Sequence, residues 1–394
     1  MTPDVLIWAR ERSRLDVEAV AHLLRVDANL VEQWENGSSR PTVPQARKLA
    51  EIYKRPVAVF FLSSPPKDFS VIEEYRVHRL SENESASKAL SLELQSAQET
   101  RDNLIDIADE KGDEFLPFKL TSNLDHSIVD TAVKIRSQMG ISRSEQINWK
   151  STDIALRHWI NSVENLDVLV FQSSKFDVRE ARGFSIFNEI LPIILLNGKD
   201  APAGKIFTLI HELVHLSLVK DNRNIIEYVN QDGNKGKTQD KKIEEFCDNV
   251  ASEIILPQEM FAKYISDSRQ TIDLAFISTI ARHFSVSRDM VLLRLRRHHY
   301  ITFDKYLELK NSLDKEYEAI RLAKIEKSKS SPGAAPPHYM TLRDLGITYT
   351  RVVLEALNES VISASTASGL LRLKTKHFDK LSDALMDRMT QVAS

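Results

Sequence analysis

The chain has a single cysteine, Cys247, among its 394 residues. One cysteine excludes an intramolecular disulfide framework and fits a reducing compartment. The sequence has no uninterrupted apolar stretch long enough to span a bilayer, and no signal or transit segment opens it. Its net charge of -3 gives no strong overall attraction to nucleic acid or to a membrane. These absences predict a cytoplasmic protein without a membrane partner, and the length predicts two or three domains.

What the chain does contain is a His-Glu-x-x-His motif, formed by His211, Glu212 and His215. On a helix, positions i and i+4 lie on one face, so two imidazoles at this spacing can hold one Zn²⁺. The glutamate beside the first histidine can act as general base toward a zinc-bound water. A helical apolar stripe lies beside the histidines and consists of Phe207, Ile210, Val214 and Leu218. The motif therefore predicts a metal-binding helix, against the alternative of a core helix with packed or exposed histidines.

A catalytic zinc site also needs a third protein ligand and one position left open for water. The next predicted helix, residues 243–257, offers two neighbouring carboxylates. A helical projection directs Glu245 away from the apolar face of this helix and puts Glu244 on the flank of that face. Either carboxylate could face the cleft by geometry.

Several segments together resemble the ImmA/IrrE family of bacterial zinc metallopeptidases. The segments that carry the resemblance are residues 211–215, 243–257, 168–172, 181–185 and 193–197. They cover about residues 166–257. The resemblance implies Glu245 as the third metal ligand. The family usually has asparagine where this chain has Asp248, which could contact a ligand histidine or compete as a ligand itself.

The resemblance implies an HExxH endopeptidase of the gluzincin type that holds Zn²⁺ through His211, His215 and Glu245. Glu212 would be its general base, and Mn²⁺ or another divalent metal also suits this ligand set. The implied substrate is a transcriptional repressor, often itself of the XRE type, cleaved in a bacterial stress or mobile-element response. An extended substrate could pair with an edge strand near residues 183–197. The alternative is a DNA-binding regulator or toxin–antitoxin component that uses the metallopeptidase fold as a sensor or scaffold.

The beginning of the chain predicts a second module. The predicted helices cover residues 15–24, 28–37 and 40–53. Trp34-Glu-Asn-Gly37 followed by Arg40-Pro-Thr42 resembles the XRE or Cro/C1-type helix-turn-helix, over about residues 3–62. In such folds the second helix of the pair enters the DNA major groove with its N-terminal residues first.

The charge of this module gives only weak support for DNA binding. Residues 1–70 hold ten Lys/Arg and nine Asp/Glu, a balance of +1. The predicted DNA contacts are Asn29 and Gln33 toward bases and Ser38, Ser39 and Arg40 toward the backbone. Asp27, just before them, would mostly repel phosphate. A protein-docking or dimerisation module is the alternative interpretation.

We predict a mainly α fold with a small β-sheet (α+β). It would combine an all-α helix-turn-helix domain, a zincin-like metallopeptidase core and a helical C-terminal region. The predicted divisions are residues 1–66 (helix-turn-helix), 67–123 (helical connector), 124–260 (metallopeptidase core), 261–323 (helix-turn-helix-like extension), 324–338 (linker) and 339–394 (small helical module). The predicted partners are a protein substrate and DNA, and a homodimer also fits the sequence.

Two further segments each allow two interpretations. The polar segment 221–242 could be a mobile lid over the site or a disordered loop. A basic cluster, which could meet nucleic acid or an acidic partner or form a solvated helix end, consists of Arg288, Arg294, Arg296 and Arg297.

Overall fold

The computed structural model describes residues 1–13, 15–53, 57–61, 87–219, 236–268, 270–330 and 335–393. They belong to two compact units, which divide between residues 79 and 80. Helices dominate both units, and the described residues contain one three-stranded sheet, which confirms the predicted mainly α fold class. None of the helices in this part of the chain is both long and apolar enough to cross a membrane.

The first unit is a small helical domain. Its elements are α1 (Pro3–Arg12), α2 (Val17–Leu24), α3 (Ala28–Glu35), α4 (Val43–Tyr53) and a 3-10 helix (Val57–Phe61). Asp16 caps α2 by accepting from the backbone N–H of Ala19, and Asp27 caps α3 in the same way from Asn29. Arg25, in the left-handed region at φ 57°, ends α2 and turns the chain into α3. The core of the unit includes Val20, Val31, Trp34, Leu49 and Phe60.

An ion pair ties the first helix of this unit to the third. Nε and Nη2 of Arg10 donate to the carboxylate of Glu35, at 2.8 and 3.0 Å, and Nη1 donates to the carbonyl of Leu15. The carboxylate holds the pKa of Arg10 above its usual value. This bidentate pair fixes α3 on the body of the unit.

The second unit begins with helices and continues through the sheet to further helices. Before the sheet lie α5 (Lys88–Lys111), α6 (Ile128–Gln138), α7 (Arg143–Ile147) and α8 (Thr152–Glu164). The strands are β1 (Leu169–Ser173), β2 (Gly183–Ile186) and β3 (Ile193–Asn197). After the sheet come α9 (Pro202–Val219), α10 (Gly236–Ile255), α11 (Gln258–Ser268), α12 (Leu274–Phe284), α13 (Arg288–Arg297), α14 (Phe303–Ser330), α15 (Pro337–Asn358), α16 (Ala364–Leu370), a 3-10 helix (Thr375–His377) and α17 (Phe378–Ala393).

The sheet has the order β1-β3-β2, with β1 parallel and β2 antiparallel to β3. The hydrophobic strand residues alternate between two covered faces. Val170, Ile194 and Leu196 join the large core cluster that includes α9. On the other face, Phe171 meets Tyr349 of α15 edge-to-face at 6.4 Å between ring centroids. The C-terminal helix α15 therefore covers one side of the sheet.

The described elements differ from the predicted linkers in two places. Helix α14 continues to Ser330, so residues 324–330 of the predicted linker are helical. The reason is that Lys, Ile and Glu are good helix formers, and the Pro-Gly breakers come only at residues 332–333. Residues 236–242 of the predicted polar loop belong to α10, whereas 221–235 lie outside the described residues, as does the predicted boundary at 66–67. The six-part division stays a prediction.

A buried carboxyl supports a break in α15. Gly346 has φ 76° and ψ 172°, which interrupts the helix, and the N–H of Ile347 just after it donates to Glu164 Oε2 at 3.3 Å. Glu164 is the last residue of α8 and is buried. Burial raises the pKa of Glu164 to about 8, although the backbone N–H groups of Ile347 and Thr348 oppose this rise. The carboxyl is therefore mostly protonated at neutral pH.

We expect Glu164 to make the stability of the second unit depend on pH. Its pKa rises from 4.5 in the unfolded chain to about 8 in the fold. The stability associated with the protonated group is therefore fully present below pH 4.5 and is lost as the pH rises through about 8. The side chain of Glu164→Gln stays neutral at every pH. The free energy of unfolding of this variant should therefore fall by roughly 3–5 kcal/mol less than that of wild type over this pH range. Thermal unfolding of both proteins at pH 5 and pH 8 measures the difference, and parallel changes in melting temperature would contradict the prediction.

Candidate metal centre

Helix α9 presents the His-Glu-x-x-His motif from the interior of the second unit. Its stripe of Ile206, Leu209, Ile210, Leu213 and Val214 is completely buried. Because this stripe anchors the helix, the side chains one position away from it are held at the boundary of the core. His211 and Glu212 are buried there, and His215 is partly exposed.

The two histidines and a carboxylate converge on one point. The Nε2 atoms of His211 and His215 lie 3.0 Å apart. Glu244 of α10 places Oε2 at 3.3 Å from His211 Nε2 and Oε1 at 3.3 Å from His215 Nε2. Two ligand atoms on one tetrahedral zinc ion lie about 3.3 Å apart when each bond is 2.0–2.1 Å long. The spacing and the His/His/Glu donor set therefore fit a zinc ion.

Helix α10 brings Glu244, and not Glu245, to the histidines. In the part of the chain that the structure describes, the residues that could hold a metal together are His211, His215 and Glu244. Glu244 is half-buried at the edge of the face that packs on α9, whereas Glu245 is exposed. Glu245, which the resemblance implied as a ligand, is outside this candidate cluster of the described residues, whereas Glu244, the alternative carboxylate, belongs to it.

Asp248 lies one helical turn after Glu244 and contacts the other nitrogen of a histidine. Its Oδ1 is 2.9 Å from His211 Nδ1. A carboxylate on the distal nitrogen of a metal-binding histidine fixes the ring orientation and makes the ligating nitrogen more basic. Of the two roles considered for Asp248, the geometry favours that of a partner for the ligand His211 over that of a competing ligand.

The general-base candidate has a partner that the sequence analysis missed. Ser185 Oγ donates to Glu212 Oε2 at 2.8 Å. Ser185 and Gly183 are two residues apart on β2 and therefore point to the same face of the sheet. A Cβ on Gly183 would lie 2.6 Å from Thr208 Cγ2, so glycine permits α9 to approach this strand closely. The alternation of Gly-Phe-Ser-Ile was the available signal, since it turns the two small residues toward α9.

The predicted DNA contacts lie on and just after α3. Asn29 and Gln33 are one turn apart on the same face, with Asn29 exposed and Gln33 half-buried. Ser38 and Arg40 are exposed, and Ser39 is half-buried. The hydroxyl oxygen of Ser39 is buried, so the other four side chains are the ones that the structure leaves at least partly accessible. Contact of these residues with DNA stays a prediction.

One arginine of the α13 cluster makes its contacts inside the second unit. Arg294 is buried and donates to Glu253 Oε2 at 2.8 Å and to the carbonyl of Leu256 at 2.7 Å. Arg288 pairs with Glu316 of α14, and Arg297 donates to Asn249 of α10. These contacts fasten α13 to α10 and α14, so Arg294 is not available to a nucleic-acid or protein partner.

Comparison with known protein families identifies both modules. Residues 163–296 match the peptidase M78 family model, described as an IrrE N-terminal-like domain, and residues 5–59 match a helix-turn-helix domain. No curated protein matches the chain. The matched segments run from the end of α8 to α13 and from α1 into the 3-10 helix of the first unit. The chain therefore carries an IrrE N-terminal-like domain, and a protease fused to a DNA-binding domain is the class of protein that fits.

Proposed function

We propose that the protein is a zinc-dependent endopeptidase guided by its helix-turn-helix domain. The observation that carries the proposal is the convergence of His211, His215 and Glu244 beside the buried carboxylate of Glu212. A purely structural helix pair has no physical need for this combination of three ligand atoms and an adjacent base. Zinc fits the His/His/Glu set best, and Mn²⁺ or another divalent metal would also be accepted.

Each residue of the proposed site has a distinct chemical role. His211, His215 and Glu244 would hold the ion, and Asp248 would keep the His211 ring in place. When bound, zinc supplies an acidified water and polarises the scissile carbonyl. Glu212 is positioned to take a proton from the attacking water and to return it to the leaving amine. Ser185 orients Glu212 through its hydrogen bond.

Strand β2 offers the substrate a place to bind. It is the last strand in the order β1-β3-β2 and so forms one edge of the described sheet, and Ser185 on this strand touches Glu212. An extended peptide that adds to this edge would lie beside the base. Scrambling residues 181–187 while cleavage persists would rule out this mode of binding.

The proposed substrate is a transcriptional repressor, itself of the helix-turn-helix type, cleaved in a stress or mobile-element response in the cytoplasm. The N-terminal domain would then bring the enzyme to the operator or to the repressor. The second candidate is a DNA-binding regulator or toxin–antitoxin component that uses the metallopeptidase domain as a sensor or scaffold. The exposed Asn29 and Arg40 favour it, and normal regulation by a Glu212→Gln protein would support it. A homodimer stays a prediction for either.

Metal content tests the proposed site directly. We expect about one zinc per chain in the wild type after loading. Glu244→Ala and His211→Ala should lose most of this zinc because each removes a ligand atom. Glu245→Ala is the matched control, since it removes the exposed neighbouring carboxylate and should keep the metal. Plasma mass spectrometry of the dialysed proteins gives the stoichiometry.

Two results would contradict this assignment. A folded wild type that cannot be loaded with zinc or another divalent metal would overturn the enzyme and leave the regulator. Loss of metal in Glu245→Ala with retention in Glu244→Ala would return the third ligand to Glu245.

A further inference from the structure

A second concave site lies in the same unit, between the core and the C-terminal helices. A cavity of about 1140 Å³ is bounded by α7, α8, β1, the start of α9, α15 and α17. None of the described residues that line it belongs to the metal centre. Its volume exceeds the 300–1,000 Å³ typical of small-molecule sites, so a ligand larger than a simple ion can enter.

The lining of this cavity is strongly basic. Its cations are Lys150, Arg157, Lys205, Arg343 and Arg388. Its acids are Glu145 and Asp153, so five positive charges face two negative ones. Arg343 is partly neutralised by Asp344, which accepts from it at 2.7 Å. The excess of positive charge in a concave site favours an anionic ligand.

Among these cations, Lys205 gives the strongest argument for an anionic ligand because it is buried. It is 8 % exposed, and its ammonium donates to the neutral amide oxygen of Gln172 at 3.1 Å. No ion pair joins it to a carboxylate among the described residues. Burial lowers the pKa of Lys205, and nearby Arg343 adds to this effect. The carboxylates of Asp153, Asp200 and Asp344 oppose this lowering of the pKa. A buried ammonium has three donors, and Gln172 accepts from one of them, so Lys205 has donors to offer an anionic ligand.

Arg388 of α17 is a second cation of the lining and is half-buried. Burial lowers its pKa, as does the neighbouring Arg157, while Glu164 acts in the opposite direction. Because Glu164 itself is mostly protonated at neutral pH, it offers Arg388 little countercharge. Helices α8 and α17 thus each contribute a guanidinium group to the lining of the cavity.

An aromatic surface adjoins the cations. Trp149 and His158, both lining the cavity, stack with ring centroids 5.0 Å apart and planes 11° from parallel. The buried indole N–H of Trp149 has no acceptor among the described residues. Trp149 is buried between His158 and Trp159, whereas His158 is half-buried. His158 is therefore the ring of this pair that a flat base can stack on, and the orphaned N–H of Trp149 can donate to a ring nitrogen or carbonyl.

We propose that this cavity binds a nucleotide, with the phosphates on Lys205 and Arg388 and the base near Trp149 and His158. Such a ligand would connect the core to the C-terminal helices, because Arg343 and Arg388 come from α15 and α17. It would also touch the catalytic helix. Lys205 lies seven residues before Glu212 on α9, which places them on one face about 10 Å apart. The binding itself does not depend on the proposed peptidase function.

Calorimetric titration of the full-length protein with ADP tests the proposal. We expect binding to wild type, and at least about tenfold weaker binding to Lys205→Gln and to Arg388→Gln, since each removes a charge-assisted hydrogen bond. Lys263→Gln, which removes an exposed lysine of α11 outside the cavity, should bind as wild type does. Arg388→Lys keeps the charge and should retain part of the affinity, which separates a binding defect from misfolding.

Pyrophosphate serves as the second probe. Weaker binding of pyrophosphate than of ADP would support a contribution of the base. Equal affinity for both would overturn the nucleotide assignment and leave an anion site. Absence of ADP binding to folded wild type at millimolar concentration, or equal binding to Lys205→Gln and wild type, would overturn the proposal.

Discussion

Replacing Glu212 with glutamine should reduce peptide-bond cleavage by a factor of about 10²–10⁴, the usual contribution of a general base. Glutamine has nearly the same shape, and its amide oxygen can still accept from Ser185 Oγ, which now donates to Glu212 at 2.8 Å. The amide cannot take a proton from water, so the chemical step is lost while the fold remains. The metal should stay bound, because Glu212 is absent from the cluster of His211, His215 and Glu244.

The measurement can precede identification of the substrate. Zinc-loaded wild type and Glu212→Gln are incubated with a peptide library prepared from a bacterial proteome, and newly formed termini are quantified by mass spectrometry. Glu245→Gln is the control, because it makes the same chemical change on the exposed side of α10 and should cleave as wild type does. Undiminished cleavage by Glu212→Gln, with metal content equal to that of wild type, would exclude Glu212 as the base.

Gly346→Ala should destabilise the second unit by about 3 kcal/mol or more. Gly346 has φ 76° and ψ 172°, a backbone region that is essentially restricted to glycine and costs an L-residue about 1–3 kcal/mol. A Cβ there would lie 2.5 Å from Glu164 Oε1 and 2.8 Å from the carbonyl oxygen of Val170. Val170 is held in β1 and Glu164 is buried, so neither can move aside cheaply. The strain therefore adds to the conformational cost.

Gly369→Ala is the matched control for this substitution. A Cβ on Gly369, in α16, meets nothing within 4 Å, so alanine should leave stability unchanged or raise it by about 0.5–1 kcal/mol. Urea unfolding followed by circular dichroism compares both variants with wild type. Equal midpoints for Gly346→Ala and Gly369→Ala would show that the break in α15 does not need glycine.

Local sequence signals predicted the helices at residues 15–24, 28–37 and 40–53 and the two helices that carry His211 and Glu244. Asp27, for example, is of a residue type favoured just before a helix, and it caps α3. The two family matches confirm the resemblance that the motifs carried. The packing of α15 on the sheet was not predictable in the same way, because the apolar residues of α15 indicate a buried face without indicating what covers it.

The choice between the two glutamates shows where a single-helix argument fails. The projection of residues 243–257 left both Glu244 and Glu245 open, and the choice of Glu245 came from the resemblance alone. Here α9 and α10 pack together, and the histidines stand at the edge of their interface. A ligand from α10 must therefore come from the flank of its apolar face, where Glu244 lies. The Glu-x-x-Cys spacing that starts at Glu244 and ends at the buried Cys247 was the sequence signal for this.

The proposed ligand atoms come from two helices, which would make metal affinity a property of the whole fold. The unfolded chain has no fixed distance between His215 and Glu244, so the free energy of zinc binding and that of folding are thermodynamically linked. A substitution at the buried Cys247, Val250 or Ala251 of α10 would shift the helix pair without touching the ion. Such a variant would still show a higher dissociation constant for zinc. An inactive variant of this protein is therefore no evidence that the altered residue lies at the site.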